Sequence, residues 1–343
     1  MKELIQSPFF YVGLIVKVIL MLLLSPEAVT DLYVPFLENS VVSGSFDPWS
    51  SWLTNSGSFL AFPYGYSMWL TFLPLSLLSE MFGIPLEYGY SLTLLLCDFA
   101  LLCVLNQILA GRQRLVLFAY WLSPVVVLAS YGLGLNDVVP ALYLMLGILF
   151  LKLQRLRLTG VFFALAISAK LSMLIVLPFV ILYLYNNKPL RHLIYDFSIG
   201  FIIAFGLVVL PFLLSSSALM MLFNNPEMKN ILSLSFDAGK GAVIYFLPIL
   251  FAVILYFVWR VRRLNFDLFM AVSGVVFLVV VVLMPSASGW FVWSVPFLVF
   301  YQHLSGRVSV IIIAVFSGLF VLSSLVKETF YLSNGSTLDL SSA

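Results

Sequence analysis

Apolar residues fill long stretches of this chain, and polar residues gather in the short gaps between them. The stretches cover residues 9–25, 66–80, 88–109, 115–130, 138–151, 159–169 with 171–187, 192–214, 242–259, 266–284, 290–301 and 308–325. Such runs predict helices in a bilayer, where a spanning helix needs ~20 apolar residues to cross a ~30 Å hydrocarbon core. Residues 159–169 are too short for this, reaching about 16 Å at 1.5 Å per residue. With residues 171–187 they predict a hairpin of two short helices, 159–187, that turns near Lys170 and returns to the side it left. Such a turn at membrane depth is tolerated where it is buried in protein or lines a wet cavity. Residues 66–80 predict a short helix lying at the outer interface. The expected fold is all-α and polytopic, with about nine spanning helices.

The basic residues motivate both departures from simple alternation. Cytoplasmic segments carry an excess of Lys and Arg. With the N-terminus cytoplasmic, Lys2, Arg112, Arg114, Lys152, Arg155, Arg157, Lys188, Arg191, Arg260, Arg262, Arg263 and Arg307 fall inside. Lys229, Lys240 and Lys327 fall outside, and Lys17 and Lys170 lie within apolar segments. Most of the acids then share the outer side, among them Asp31 and Asp137. Residues 1–331 read as one integral membrane domain with outer loops 26–65 and 215–241, followed by a polar tail, 332–343, expected to fray. The first apolar segment lacks a small-residue cleavage site after it and reads as a retained signal anchor.

Composition narrows the function classes. The chain is 62% hydrophobic and 9% charged, with a mean hydropathy of +1.11, which excludes a soluble protein. A net charge of +2 gives no electrostatic footprint for nucleic acid. Cys97 and Cys103 sit in one apolar stretch and read as packing residues, while His192 and His303 lie at segment ends. No metal cluster, Gly-rich phosphate loop or Ser-His-Asp set is visible, and no metal or cofactor is expected.

What chemistry there is gathers outside. Asp31 opens a loop that carries Tyr33, Phe36, Phe46, Trp49, Trp52, Phe59, Phe62, Tyr64 and Tyr66. An acid at the membrane edge, among aromatic faces suited to sugars, is a candidate general base. Asp47, in Phe46-Asp47-Pro48-Trp49, is a second acid of that loop, in a sequence that also suits a turn. Asn136 and Asp137 follow two glycines in a tight turn, where either can cap the next helix or face a cavity. Lys170 is an ionisable residue in an apolar stretch, a functional signal by default. It reads as meeting an anionic headgroup, or as forming a structural pair with Asp98. Lys240, between two glycines, is a candidate phosphate contact, and Trp290 and Trp293 mark an outer turn entering a helix.

In this order the pieces resemble the GT-C glycosyltransferases, across roughly residues 10–300. The resemblance is closest to the branch of the GPI mannosyltransferase I catalytic subunit and bacterial polyprenyl-linked mannosyltransferase-like proteins. It implies transfer of a hexose, mannose favoured, from a polyprenyl-phosphate donor, with inversion, on the extracytoplasmic or lumenal face. The acceptor would be a glycan, glycolipid or protein, and the membrane a bacterial inner membrane or the endoplasmic reticulum. Asp31 would be the general base. Tyr33, Asp47, Tyr64, Asn136, Asp137, Lys170, Lys240 and Trp290 would bind substrate, and a small accessory subunit is a possible partner. Leu135 stands where relatives often carry Gln, and the first loop has no Asp-x-Asp pair. The alternatives are a lipid-linked sugar flippase or transporter, which predicts charges spread along a central cavity, and a non-catalytic subunit of a transferase complex.

Overall fold

A computed structural model describes residues 2–226, 230, 232–239, 242–284, 287–334 and 337–338. The described residues are mostly helical. The principal helices are α1 (Pro8–Leu23), α2 (Val34–Ser43), α3 (Pro48–Thr54), α4 (Tyr66–Phe82) and α5 (Leu86–Ile108). A bent pair follows, α6 (Gln113–Trp121) and α7 (Pro124–Gly132), at 44° to each other. Then come α8 (Val138–Lys152), α9 (Leu156–Ala169), α10 (Leu171–Asn186) and α11 (Ile194–Val208). The last four are α12 (Phe246–Arg260), α13 (Phe266–Leu283), α14 (Phe291–Ser305) and α15 (Arg307–Lys327).

Among the described residues, four helices are long and apolar enough to cross a membrane, or five if the bent pair is one span. Five further apolar helices, α1, α8, α9, α10 and α12, are shorter than that test requires. The chain is thus a multi-pass membrane protein by helix composition, while about nine spans are not reached by length alone. The bend between α6 and α7 has a local cause. Pro124 cannot donate the hydrogen bond a continuous helix needs there, and the helix restarts with Pro124 in its first turn.

Side-chain contacts fix the direction of each helix. Trp121 Nε1 donates to the Phe10 carbonyl, and Lys17 on α1 meets Asp98 on α5. At the far end the Tyr90 hydroxyl donates to the Gly134 carbonyl. Helix α5 therefore runs against α1 and the bent pair. Helices α8 and α9 are antiparallel, with Gly147 packed on Phe163 and Asp137 bonded to Lys170.

Helices α9 and α11 run side by side in the same direction. Arg157 pairs with Asp196 at one end (2.8 Å), and Ser168 Oγ donates to the Val208 carbonyl at the other. Their backbones approach so closely that a β-carbon on Gly160 would run into Phe197 O, and one on Gly200 into Arg157 O. Small residues permit such contacts where apolar burial gives helices no reason to associate. Because α9 and α11 are parallel, α10 must carry the chain back to the end where α9 began. That is the expected hairpin, and it turns at Lys170, whose extended backbone (φ −153°, ψ 120°) ends α9.

One end of the bundle consequently collects Arg112, Arg114, Lys152, Arg155, Arg157, Lys188 and Arg191, beside the helix ends at Ile108, Lys152, Asn186 and Arg260. The far end holds Asp31, Tyr33, Asp137, Lys170 and Trp290. Helix α4 lies across this far end rather than along any one neighbour. Ser67 Oγ donates to the Leu165 carbonyl of α9, Thr71 shares a hydrogen bond with Tyr143 of α8, and Phe72 stacks on Tyr90 of α5. The helix expected over 66–80 at the outer interface is present as Tyr66–Phe82, which is not among the helices long and apolar enough to cross a membrane.

Two expectations change. Asp98 does not pair with Lys170. It pairs with Lys17 at 2.6 Å, with neither side chain exposed, because both lie at mid-depth while Lys170 sits at the far end. The described part of the tail does not fray. Thr337–Leu338 pairs with Phe330–Tyr331, and Ser333 N donates to Leu23 O.

Candidate functional site

The site is assembled where four far-end segments meet. Gly134 adopts a left-handed conformation (φ 67°) and turns the chain tightly before Asn136 and Asp137. Asp137 then begins α8, yet its side chain makes no capping hydrogen bond. Instead Oδ1 accepts from Lys170 Nζ at 2.7 Å and from Trp293 Nε1 at 2.8 Å. Gly289 leaves room for this: a β-carbon there would collide with Asp137 Oδ2.

Aromatic rings enclose the lysine. Lys170 Nζ lies 5.3, 5.1 and 5.7 Å from the ring centres of Tyr64, Trp293 and Trp290, within the range of cation–π attraction. Trp290 and Trp293 stack on each other with centroids 4.9 Å apart. The Tyr33 and Tyr64 hydroxyls are 3.4 Å apart, and Tyr33 also stacks on Tyr90. Burial, with Tyr64 alongside, pushes the Tyr33 phenol well above its ordinary pKa. Tyr64 is positioned by its neighbour: Gly65 N donates to Ser168 O, two residues before Lys170.

Of the residues expected to act, the structure thus brings Tyr33, Tyr64, Asp137, Lys170 and Trp290 into one buried cluster. Asn136 is adjacent and wholly buried, and neither of its side-chain polar atoms has a partner among the described residues. The Trp290 indole N–H is buried and unpartnered in the same sense. Asp31 sits differently. It is exposed on the π-helical turn Ala28–Tyr33 and accepts a hydrogen bond from Thr30 Oγ1 at 2.8 Å, two residues from the buried Tyr33. Asp47 is elsewhere. Its Oδ1 caps α3 by accepting from Ser50 N, and its Oδ2 accepts from Ser215 Oγ at 2.8 Å. Lys240 lies outside the described residues.

A groove of about 460 Å³ opens beside the cluster, between α10, α12 and α13 and the start of α14. Leu171, Ile175, Phe251, Phe277, Trp290 and Trp293 are among its lining residues. No charged residue lines it among those described, and Ser172 is its one hydroxyl. None of its lining residues belongs to α4. The signal available for it was Trp290 and Trp293, which belong to both the groove and the cluster. Trp293 itself, Gly289 and Tyr90 were not distinguishable as site residues, since their roles depend on segments far apart in the chain.

The arrangement offers an apolar slot whose tryptophan wall also flanks a buried cation, with an exposed carboxylate on a neighbouring turn. Among the described residues, no group of three or more His, Cys, Asp or Glu side chains is placed to hold a metal ion. Comparison of the chain with protein-family models, curated proteins and solved structures returns no match.

Proposed function

We propose that this chain is an inverting membrane glycosyltransferase of the GT-C kind. It moves a hexose, mannose favoured, from a polyprenyl-phosphate donor to an acceptor on the extracytoplasmic or lumenal face. The observation that carries this reading is the apolar groove walled by Trp290 and Trp293, whose ring centres lie 5.7 and 5.1 Å from Lys170 Nζ. An apolar chain with an anionic head matches a slot of that composition, and a sugar beyond the phosphate would reach the aromatic loop.

In this mechanism the acceptor hydroxyl oxygen attacks the anomeric carbon from the face opposite the phosphate. Asp31 takes the hydroxyl proton as the new C–O bond forms. The bond from the anomeric carbon to the phosphate oxygen breaks, and polyprenyl phosphate leaves with the electron pair. The departing phosphate needs no proton, and Lys170 stabilises the charge it gains. The exposure of Asp31 suits a group that must meet an incoming acceptor. Lys17 and Asp98 take no part, since they are sealed from solvent and satisfied by each other.

The test is release of polyprenyl phosphate from a panel of polyprenyl-phosphate hexoses by the purified chain and by Asp31→Asn. Turnover by the first, lost in the second while donor still binds, is the expected result. Donor binding equal in both with no turnover in either would overturn the enzyme reading in favour of lipid-linked sugar transport.

A further inference from the structure

The buried cluster already contains an anion. Lys170 contributes one positive charge and Asp137 one negative charge, 2.7 Å apart and both buried. Tyr33, Tyr64, Tyr90, Trp290 and Trp293 surround them, and none of these carries a compensating charge. A phosphate arriving at Lys170 would therefore leave an excess negative charge in a largely apolar site if Asp137 stayed in place. Uncompensated buried charge is strongly unfavourable. A second observation points to a missing acceptor. The Trp290 N–H is buried and lacks a partner among the described residues, although its ring lies against both Lys170 and the groove.

We infer that Lys170 exchanges partners on binding: the anionic headgroup of an amphiphile replaces the Asp137 carboxylate, with Trp290 Nε1 as a further donor. This rests on the anionic, lipid-linked donor proposed above. Asp137 is then a stand-in for the headgroup in the free chain, not a ligand of it. It holds Lys170 charged and oriented while the groove is empty, and it must move for the site to fill.

The volume of the groove guides the choice of probe. Since a ~150 Å³ apolar cavity accommodates one benzene, about 460 Å³ accommodates roughly 18 carbon atoms. Farnesyl phosphate is therefore a sufficient probe, and farnesol is its uncharged control.

The experiment is equilibrium binding of both probes to the full chain in detergent, for wild type, Asp137→Asn and Gly289→Ala. Exchange predicts that Asp137→Asn binds farnesyl phosphate at least tenfold more tightly than wild type, with farnesol affinity unchanged. Gly289→Ala places a methyl group against Asp137 Oδ2, displaces the carboxylate, and is expected to shift affinity in the same direction. Gly289 therefore decides the question if Asp137→Asn does not fold. Equal or weaker farnesyl phosphate binding in a folded variant would overturn the exchange. Failure of the transferase reading looks different: the tightening would persist, but no hexose donor would be turned over.

Discussion

Lys17 and Asp98 form an ion pair 2.6 Å long with no exposure to solvent, and both Asp98 oxygens are satisfied further by the Tyr120 and Tyr131 hydroxyls, each at 2.6 Å. Lys17 Nζ also lies 3.2 Å from the centre of the Trp121 ring. The network ties α1, α5 and the bent pair together at one level. Breaking such a pair from one side leaves the partner charged in the interior. Lys17→Met alone is expected to destabilise the fold by about 3 kcal/mol, within the range for uncompensated buried partners. The double variant Lys17→Met with Asp98→Leu should recover much of this loss. Thermal unfolding of the four proteins in one detergent supplies the cycle, and equal losses in the single and double variants would sink the pairing argument.

How much of this could be read beforehand depended on whether a signal was local. The turn at Lys170 was legible, because a charge interrupting two short apolar runs is a one-dimensional feature. So was the gathering of Asp31, Asp137 and Trp290 at one end, since helix directions follow from alternation and basic loops. Partner choice was not legible. Asp98 and Asp137 are both acids within reach of Lys170 in sequence terms, and only the depth of each in the bundle sends Asp98 to Lys17. The groove was not legible for the same reason. Its walls come from α10, α12, α13 and α14, which no short window of sequence connects.

Asp31 and Asp137 should separate cleanly on substitution. Asp31 is exposed and its side chain is bonded to the adjacent Thr30, so Asp31→Asn is expected to change stability by less than about 0.5 kcal/mol. As the general base it should nevertheless lose roughly 10²- to 10⁴-fold in transfer rate. The pair of measurements is a thermal melt and a single-turnover assay on the same preparation. A variant that melts as wild type and transfers as wild type would remove Asp31 from the mechanism.

Asp47 has a structural explanation that Asp31 lacks. It caps α3 through Ser50 N at 3.1 Å and pins the segment at Ser215. Asp47→Ala should therefore cost about 1 kcal/mol, the usual loss for a helix cap. Donor affinity should stay within twofold of wild type. Asp47→Asn, which keeps the capping oxygen, should restore most of the stability. A large change in donor KM with unchanged melting would instead make Asp47 a substrate contact.

The far end also carries a pH-dependent term. Burial, followed by the nearby Glu87 and Glu80, raises the Glu38 pKa above its ordinary value. A carboxyl group with a raised folded-state pKa contributes stability below its unfolded pKa and loses it as pH rises through the folded value. Glu38→Gln should thus melt above wild type at pH 7 and converge with it near pH 4. Glu38 is mostly exposed, so the gain is small and should shrink further in salt. Melting curves that stay parallel from pH 4 to pH 7 would show that Glu38 contributes nothing.

The parallel packing of α9 and α11 leads to a labelling pattern that a simple alternation of spans would not give. With Cys97 and Cys103 replaced by alanine, single cysteines can be placed at Val42, Leu153 and Lys188, all of them exposed. Leu153 precedes α9 and Lys188 follows α10, and the return of α10 puts both at the same end of the bundle. Val42 belongs to α2 at the other end. A membrane-impermeant maleimide added outside intact cells should label Val42→Cys alone. Leu153→Cys and Lys188→Cys should react only after permeabilisation, which would also assign the basic end to the cytoplasm. Labelling of Lys188→Cys from outside, with Leu153→Cys protected, would mean that α9 and α10 cross as one span. Lys170 would then sit in the middle of the membrane, and the groove would no longer open toward an outer site.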